Sequence, residues 1–157
     1  MNRRAVLAAG PALAFLPAAG THAATEDPLL ALHREWWAAR VEWYRWANVE
    51  GNGNWDFPES VAAARREDVA LKAILQARAS GLPGIAAQVH VLWTCSGPGS
   101  AEWLPEYAEE CGQYEFQAML ALWRIATGSD LPPPISAFRD GAAVPNPISA
   151  VAGQFFA

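Results

Sequence analysis

The chain has 157 residues, of which 52 % are hydrophobic and 17 % charged, so it is long enough for one domain with a real core. Its formal net charge of −5 gives it no basic surface for nucleic acid and no electrostatic attraction to anionic lipid. No run reaches about 18 apolar residues free of Gly, Pro or charge, the length that a spanning helix needs, so we expect no stable membrane anchor.

The N-terminal stretch has the layout of an export signal. MNRR carries Arg3 and Arg4 and no acid, AVLAAGPALAFLPAAG is apolar, and THAA ends the stretch with small residues. Secretory signals combine a charged n-region, an apolar h-region and a small-residue cleavage site in this order. We therefore predict a signal peptide over residues 1–23, cleavage near Ala23 and a periplasmic or secreted mature protein. The alternative is an N-terminal helix packed on the domain, which the glycines and prolines of the stretch disfavour.

Loss of this segment would make the remaining domain more acidic. It removes two of the eleven basic residues and no acidic residue, which leaves nine against sixteen and a net charge of −7. An acidic domain of this kind has no electrostatic footprint for DNA or RNA, so no nucleic-acid partner is expected.

Four helices are predicted after the signal. Asp27 and Pro28 start the first, as N-cap and first helical residue, and the turn-rich GNGNWDFP separates it from the second. Glycines end the second and third helices, and SGPGS precedes the fourth. The predicted helices cover approximately residues 28–48, 58–79, 84–94 and 101–127. Short connections between consecutive helices place them antiparallel, so the predicted class is all-α, a small antiparallel bundle.

The composition changes after Gly128. Residues 129–157 are rich in proline and carry few periodic apolar positions, so we predict a flexible, extended tail. The predicted organisation is a signal peptide, a helical domain over residues 24–128 and this tail.

EWWAARVEWYRW, residues 35–46, holds four of the eight tryptophans and one tyrosine. On a helix most of these aromatic side chains fall on one broad arc, together with leucines of the preceding turns. Such a stripe is more often core than a ligand-binding box, although both interpretations remain open. His33 and Arg40 lie in the middle of the same arc, where apolar residues are expected.

Arg40 needs a carboxylate if it is buried, because an unpaired buried charge is costly. Asp68 lies on the apolar arc of the second helix, and a hairpin bent near residue 53 brings the two together, so we predict an Arg40–Asp68 pair. The pair is either structural or the floor of a pocket for an anionic or aromatic ligand, with Glu110 as a further wall. The candidate ligand-binding residues are Arg40, Asp68, Trp36, Trp37, Tyr44, Glu110 and His33.

The two cysteines, Cys95 and Cys111, flank the SGPGS connection. An oxidising compartment would favour a disulfide between them, closing a loop of about 17 residues and contributing roughly 3 kcal/mol. The alternative is two buried thiols, since spacing alone does not bring the Cα atoms within reach.

No catalytic motif, metal site or cofactor site is predicted. The sequence lacks H-E-x-x-H and G-x-S-x-G, and adjacent acids such as Glu109 and Glu110 point about 100° apart on a helix. Alternating polar residues between positions 50 and 56 suggest a calcium loop, but Trp55 and Val61 occupy the positions that need Gly and Glu. These polar residues are predicted to form the turn between helices.

DPLLALHREWWAAR, after the twin-arginine-like start, and SGLPGIAAQVHVLW resemble a loose group of small uncharacterised bacterial and prophage-type proteins. The resemblance covers residues 1–127 and implies no established activity, so no functional residue is carried over from it.

Three functions are kept as hypotheses. The first is an exported, non-catalytic domain that binds an unidentified small ligand or protein partner through the Trp-rich face around Arg40. The second is a mobile-element protein that stays in the cytoplasm and occludes a host protein. The third is a small hydrolase that uses carboxylates such as Asp68 and Glu110. None of the three calls for a cofactor.

Overall fold

A computed structural model describes residues 26–139 and 141–149. The helices are α1 (Pro28–Ala47), α2 (Pro58–Gln76), α3 (Leu82–Ser96), α4 (Pro105–Cys111) and α5 (Tyr114–Thr127). Two short antiparallel strands, β1 (Phe138–Arg139) and β2 (Ala142–Ala143), follow, and a helical turn covers residues 147–149. The predicted all-α class is confirmed. The predicted signal peptide, residues 1–23, lies outside the described residues.

The start of α1 is fixed by a buried aspartate. Asp27 is only 6 % exposed; its Oδ1 accepts a hydrogen bond from the amide of Leu29 at 3.0 Å, as the predicted N-cap should. Its Oδ2 accepts a second hydrogen bond, from the amide of Ser80 at 2.8 Å. Gly84 of α3 is close enough that a Cβ there would lie 2.3 Å from Oδ2. The carboxylate therefore joins the beginning of α1 to the α2–α3 connection, and only glycine fits beside it.

The turn between α1 and α2 is closed by Asn52, which is fully buried. Its amide nitrogen donates to the carbonyl of Trp46 and to the hydroxyl of Ser60, and its oxygen accepts from the amide of Phe57. Gly51 adopts a φ of +87°, which glycine tolerates without a steric penalty. The prediction that this polar stretch forms a turn is confirmed.

The predicted fourth helix is divided in two. α4 ends at Cys111, α5 begins at Tyr114, and the amide of Gly112 closes the last turn of α4 on the carbonyl of Glu109. Glycine weakens a helix interior because it loses more backbone entropy than other residues, which explains a break here. Residues 101–104 form turns before Pro105 instead of a first helical turn.

Helix α3 lies at the centre of the molecule and contributes to two apolar clusters. The first joins it to α1 and α2, and the second joins it to α1 and α5. Two residues from beyond Gly128 complete these clusters, since Ala137 is fully buried in the first and Ile148 is 2 % exposed in the second. Among the described residues, no helix has the length and hydropathy needed to cross a membrane.

Candidate functional site

The tryptophans at the start of the aromatic stripe belong to the core. Trp36 is 0 % exposed and Trp37 is 3 % exposed, and their ring centroids are 5.7 Å apart. Neither indole can contact an external ligand without displacing other residues. The geometry therefore supports these two tryptophans as core residues and not as walls of a ligand-binding box.

A hydrogen-bonded pair of histidines lies beside these tryptophans. His33 and His90 are both fully buried, and Nε2 of His33 lies 2.9 Å from Nδ1 of His90. The chain continues at both ends, because Nε2 of His90 is 2.8 Å from the carbonyl oxygen of Pro134 and Nδ1 of His33 is 3.3 Å from Nδ2 of Asn146. Four groups from separate parts of the sequence therefore form one line of hydrogen bonds, which is buried at its centre and partly buried at both ends.

The partners of this chain fix the tautomer of each ring. A carbonyl oxygen only accepts, so His90 must donate to Pro134 through Nε2 and accept at Nδ1. His33 then donates from Nε2 and accepts at Nδ1 from the amide group of Asn146. Burial lowers the pKa of His33 to about 3 and that of His90 to about 4. Both imidazoles are thus neutral at pH 7, and their protons all point the same way along the chain.

The two ends of this histidine chain belong to residues 129–139 and 141–149, which we call the C-terminal strap. Nε1 of Trp123 donates to the carbonyl of Leu131 at 2.9 Å, and Nε1 of Trp37 donates to the carbonyl of Val144 at 3.0 Å. The strap has the extended backbone that the sequence predicted over much of its length, but it lies against the bundle. Flexibility of the tail stays a prediction, whereas these contacts are observed.

Arg40 has a carboxylate partner, but not the predicted one. Its Nη1 lies 2.7 Å from Oε1 of Glu67, and its guanidinium lies over the rings of Trp36 and Tyr44 at 5.9 and 5.5 Å. Asp68 is paired instead with Lys72 at 2.6 Å and its side chain is 53 % exposed. The predicted Arg40–Asp68 pair is therefore wrong by one residue. Adjacent positions on a helix point about 100° apart, so this single step exchanges a core-facing carboxylate for a solvent-facing one.

Glu110 supports the connection between α3 and α4. Its carboxylate accepts hydrogen bonds from the amide and the hydroxyl of Ser100, at 3.1 and 2.7 Å. These hydrogen bonds hold the pKa of the Glu110 carboxyl below its usual value. The carboxylate fixes the connection between α3 and α4, and the role of Glu110 as a further wall of a pocket stays a prediction.

Cys95 and Cys111 are free thiols, which corrects the disulfide hypothesis. Cys95 is exposed at the end of α3, whereas Cys111 is partly buried at the end of α4. Burial raises the pKa of both thiols, although Arg40 opposes this effect at Cys95 and a hydrogen bond to Tyr107 opposes it at Cys111. Both thiols are protonated at neutral pH and are poor nucleophiles.

An open cleft of about 790 Å³ lies between the end of α1, the α3–α4 connection and the strap. We call it the aromatic cleft, because Tyr44, Trp103 and Phe138 line it. Trp103 is 84 % exposed. The remaining lining residues are Pro98, Gly99, Ser100, Ala101, Glu102, Ile135, Ser136 and Arg139. Of the predicted site residues, only Tyr44 lines this cleft.

The polar side chains of the cleft are engaged with one another or with backbone. Glu102 accepts from Nη2 of Arg139 at 2.8 Å and from the amide of Ile135 at 3.3 Å, which ties the α3–α4 connection to the strap. The hydroxyl of Ser136 donates to the carbonyl of Phe138 at 2.5 Å. The walls are therefore held in place, and Tyr44, Trp103 and Phe138 are the aromatic side chains that they offer to a ligand.

Sequence reasoning missed Trp103 and Phe138. Trp103 was placed inside a predicted helix and Phe138 in the predicted tail. One signal was available: Trp103 stands two residues before Pro105, where a helix begins and a large exposed side chain has no packing role. No comparable signal marks Phe138, because its position depends on the path of the strap.

Within residues 26–139 and 141–149, no group of three or more His, Cys, Asp or Glu side chains could hold a metal ion. No protein-family profile matches the chain, and neither a curated protein nor a solved structure is significantly similar to it.

Proposed function

We propose that the protein is an exported, non-catalytic binding domain and that its ligand occupies the aromatic cleft. The observation that carries this proposal is Trp103, a large indole held 84 % exposed at a cleft of about 790 Å³. Cavities of about 300–1,000 Å³ with aromatic walls are typical of ligand sites. Tryptophan is enriched among the residues that dominate binding energy at interfaces, so an indole exposed at a cleft is a candidate anchor for a ligand. The site thus shifts from the face around Arg40 to the neighbouring cleft, with Tyr44 common to both.

The state of the polar groups supports binding over catalysis. Glu102 is paired with Arg139, Ser136 is bonded to backbone and Ser100 is bonded to Glu110, so the cleft offers no free nucleophile beside a base. The two described histidines, His33 and His90, are fully buried and bonded to each other. The two carboxylates of the hydrolase hypothesis are also engaged with different partners, since Asp68 binds Lys72 and Glu110 binds Ser100.

Export is supported by the N-terminal sequence alone. A processed protein would meet components of the cell envelope, which are therefore the first ligands to test. A chain that keeps residues 1–23 in the cytoplasm would instead favour the occluding mobile-element hypothesis. Intact mass of the protein from separated periplasmic and cytoplasmic fractions distinguishes these two fates.

The cleft itself is tested through the indole N–H signals of ¹⁵N-labelled protein. The chain has eight tryptophans, and Trp103→Phe identifies the signal of Trp103. Soluble cell-wall fragments and, separately, short peptides are added as probes. We expect a binding probe to shift the Trp103 signal and to leave the buried Trp36 and Trp93 signals in place. Shifts confined to other tryptophans, or no shift with any probe, would contradict the proposal.

A further inference from the structure

We propose that the aromatic cleft binds an extended, proline-rich peptide segment, an inference that rests on the proposed function of the cleft. Such segments adopt the polyproline II conformation, which needs no internal hydrogen bonds and loses little entropy on binding. Proteins recognise them with shallow grooves of aromatic side chains. The cleft offers Tyr44, Trp103 and Phe138 in this role, with the ring of Pro98 beside them.

The chemistry of the cleft walls favours a ligand with few polar groups. The carboxylate and serine side chains of the cleft are already bonded internally, through the Glu102–Arg139 pair and the hydrogen bonds of Ser100 and Ser136. A ligand with many hydroxyl groups would find few free partners there, and each unpaired polar group would cost affinity. Proline has no amide N–H and presents an apolar ring with a carbonyl acceptor. The exposed indole N–H of Trp103 can donate to such a carbonyl.

The domain already binds its own proline-rich segment through indole N–H groups. The indole of Trp123 donates to the carbonyl of Leu131, which precedes Pro132. Similarly, the indole of Trp37 donates to the carbonyl of Val144, which precedes a proline at position 145. A residue before proline is restricted to the extended region of backbone conformation, and the carbonyl of Leu131 also accepts a hydrogen bond from the hydroxyl of Ser129 at 3.3 Å. Two indoles from different helices thus donate to the same backbone feature, the carbonyl of a residue that precedes proline.

The strap brings its proline-rich segment next to the cleft. Its residues Ile135, Ser136, Phe138 and Arg139 line one wall of the cleft, directly after residues 131–134, which Trp123 and His90 bind at either end. The cleft continues the surface on which the strap packs its prolines. The cleft is open, whereas the neighbouring surface is filled by the strap. An incoming segment would meet Trp103 in the role that Trp37 and Trp123 have for the strap.

The experiment titrates the full-length protein with fluorescein-labelled decaproline and follows fluorescence anisotropy. A Gly-Ser decapeptide with the same label is the peptide control, and unlabelled hexameric N-acetylglucosamine is tested by calorimetry. The variant is Trp103→Ala, whose side chain is exposed and whose removal should leave the fold intact. Tyr114→Ala is its matched control, because Tyr114 is an aromatic residue 93 % exposed on α5, outside the cleft.

We expect saturable decaproline binding that is at least about tenfold weaker in Trp103→Ala and unchanged in Tyr114→Ala. The Gly-Ser peptide should not bind measurably. Decaproline binding that survives Trp103→Ala, or no binding at all, would overturn the inference. If the saccharide binds in a Trp103-dependent way and decaproline does not, the ligand class is wrong but the cleft remains a binding site. If no probe depends on Trp103, the proposed function fails as well.

Discussion

His33 and His90 are separated by 57 positions in the sequence and share a buried hydrogen bond of 2.9 Å. Ring centroids of Trp36 and Trp37 lie 5.3 and 5.0 Å from that of His90. Both imidazole rings are neutral, and the C-terminal strap binds the histidine pair at each end. This relationship makes the stability of the domain depend on two groups that ordinarily titrate near pH 6.5.

The first prediction is a loss of stability in mild acid. Burial lowers the pKa of His33 to about 3 and of His90 to about 4, whereas both return to about 6.5 in the unfolded chain. Below pH 6.5 the unfolded state binds protons that the folded state cannot, so stability falls as pH decreases. Two such groups would cost together about 4 kcal/mol between pH 7.5 and pH 5. Urea unfolding at these two pH values measures the difference.

This pH window separates the histidines from the carboxylates. The lowered pKa values of Asp27 and Glu110 affect stability only as pH falls below their ordinary range near 4. A His33→Gln variant that folds should lose roughly half of the pH dependence, because one titrating ring remains. Equal stability at pH 7.5 and pH 5 in the unaltered protein would contradict neutral buried imidazoles.

The second prediction concerns the strap as part of the core. Ile148 is 2 % exposed within the cluster of α1, α3 and α5, so Ile148→Ala should reduce the free energy of unfolding by about 2–4 kcal/mol. Leu131→Ala is the control on the same segment, since Leu131 is 76 % exposed and its truncation should change stability by less than about 0.5 kcal/mol. Chemical denaturation of both variants measures the contrast. Equal, small effects would indicate a strap that does not pack in solution.

The third prediction tests the partner of Arg40. Glu67→Gln leaves a guanidinium with 17 % exposed side chain without its carboxylate, and should cost about 1–3 kcal/mol. Asp68→Asn removes only an exposed pair with Lys72 and should cost less than about 1 kcal/mol. The two substitutions are chemically matched and adjacent in sequence, so thermal and urea unfolding compare them directly. The reverse ranking would restore the Arg40–Asp68 pair.

The fourth prediction concerns the close approach of α3 to the start of α1. A methyl group in Gly84→Ala would lie 2.3 Å from Oδ2 of Asp27, so α3 or the carboxylate must move, at a cost of about 1–3 kcal/mol. Gly53→Ala is the matched control, because no atom lies within 4 Å of a Cβ there. Urea unfolding of both variants reports the difference. A neutral Gly84→Ala would show that Asp27 does not hold this junction.

The helices were predictable because their signals are local. Asp27 and Pro28 mark the start of α1, a glycine and a proline bound the connection to α2, and apolar periodicity marks the buried faces. The predicted hairpin between α1 and α2 correctly brings Arg40 beside α2, but it selects Asp68, one residue after the actual partner Glu67. A difference of one residue is within the uncertainty of any helix boundary, yet it decides which carboxylate faces inward.

The candidate site was less predictable because it depends on the strap. A proline-rich segment has no periodic apolar face, so its sequence indicates lack of structure even where the chain is bound. The strap is held by indole and imidazole N–H groups that donate to its backbone carbonyls. Every residue has a backbone carbonyl, so the sequence does not show which of them are bound. His33 could be identified as unusual for its position, but its partner His90 and the carbonyl of Pro134 could not.

The strap also determines when the cleft forms during synthesis of the protein. Translation delivers α1 through α5 first, and domains begin to fold as their residues emerge from the ribosome. Phe138 and Arg139, which form part of one cleft wall, follow all five helices in the chain. A nascent bundle therefore has its helices but no complete cleft, and it cannot capture a ligand there before Phe138 and Arg139 have left the ribosome.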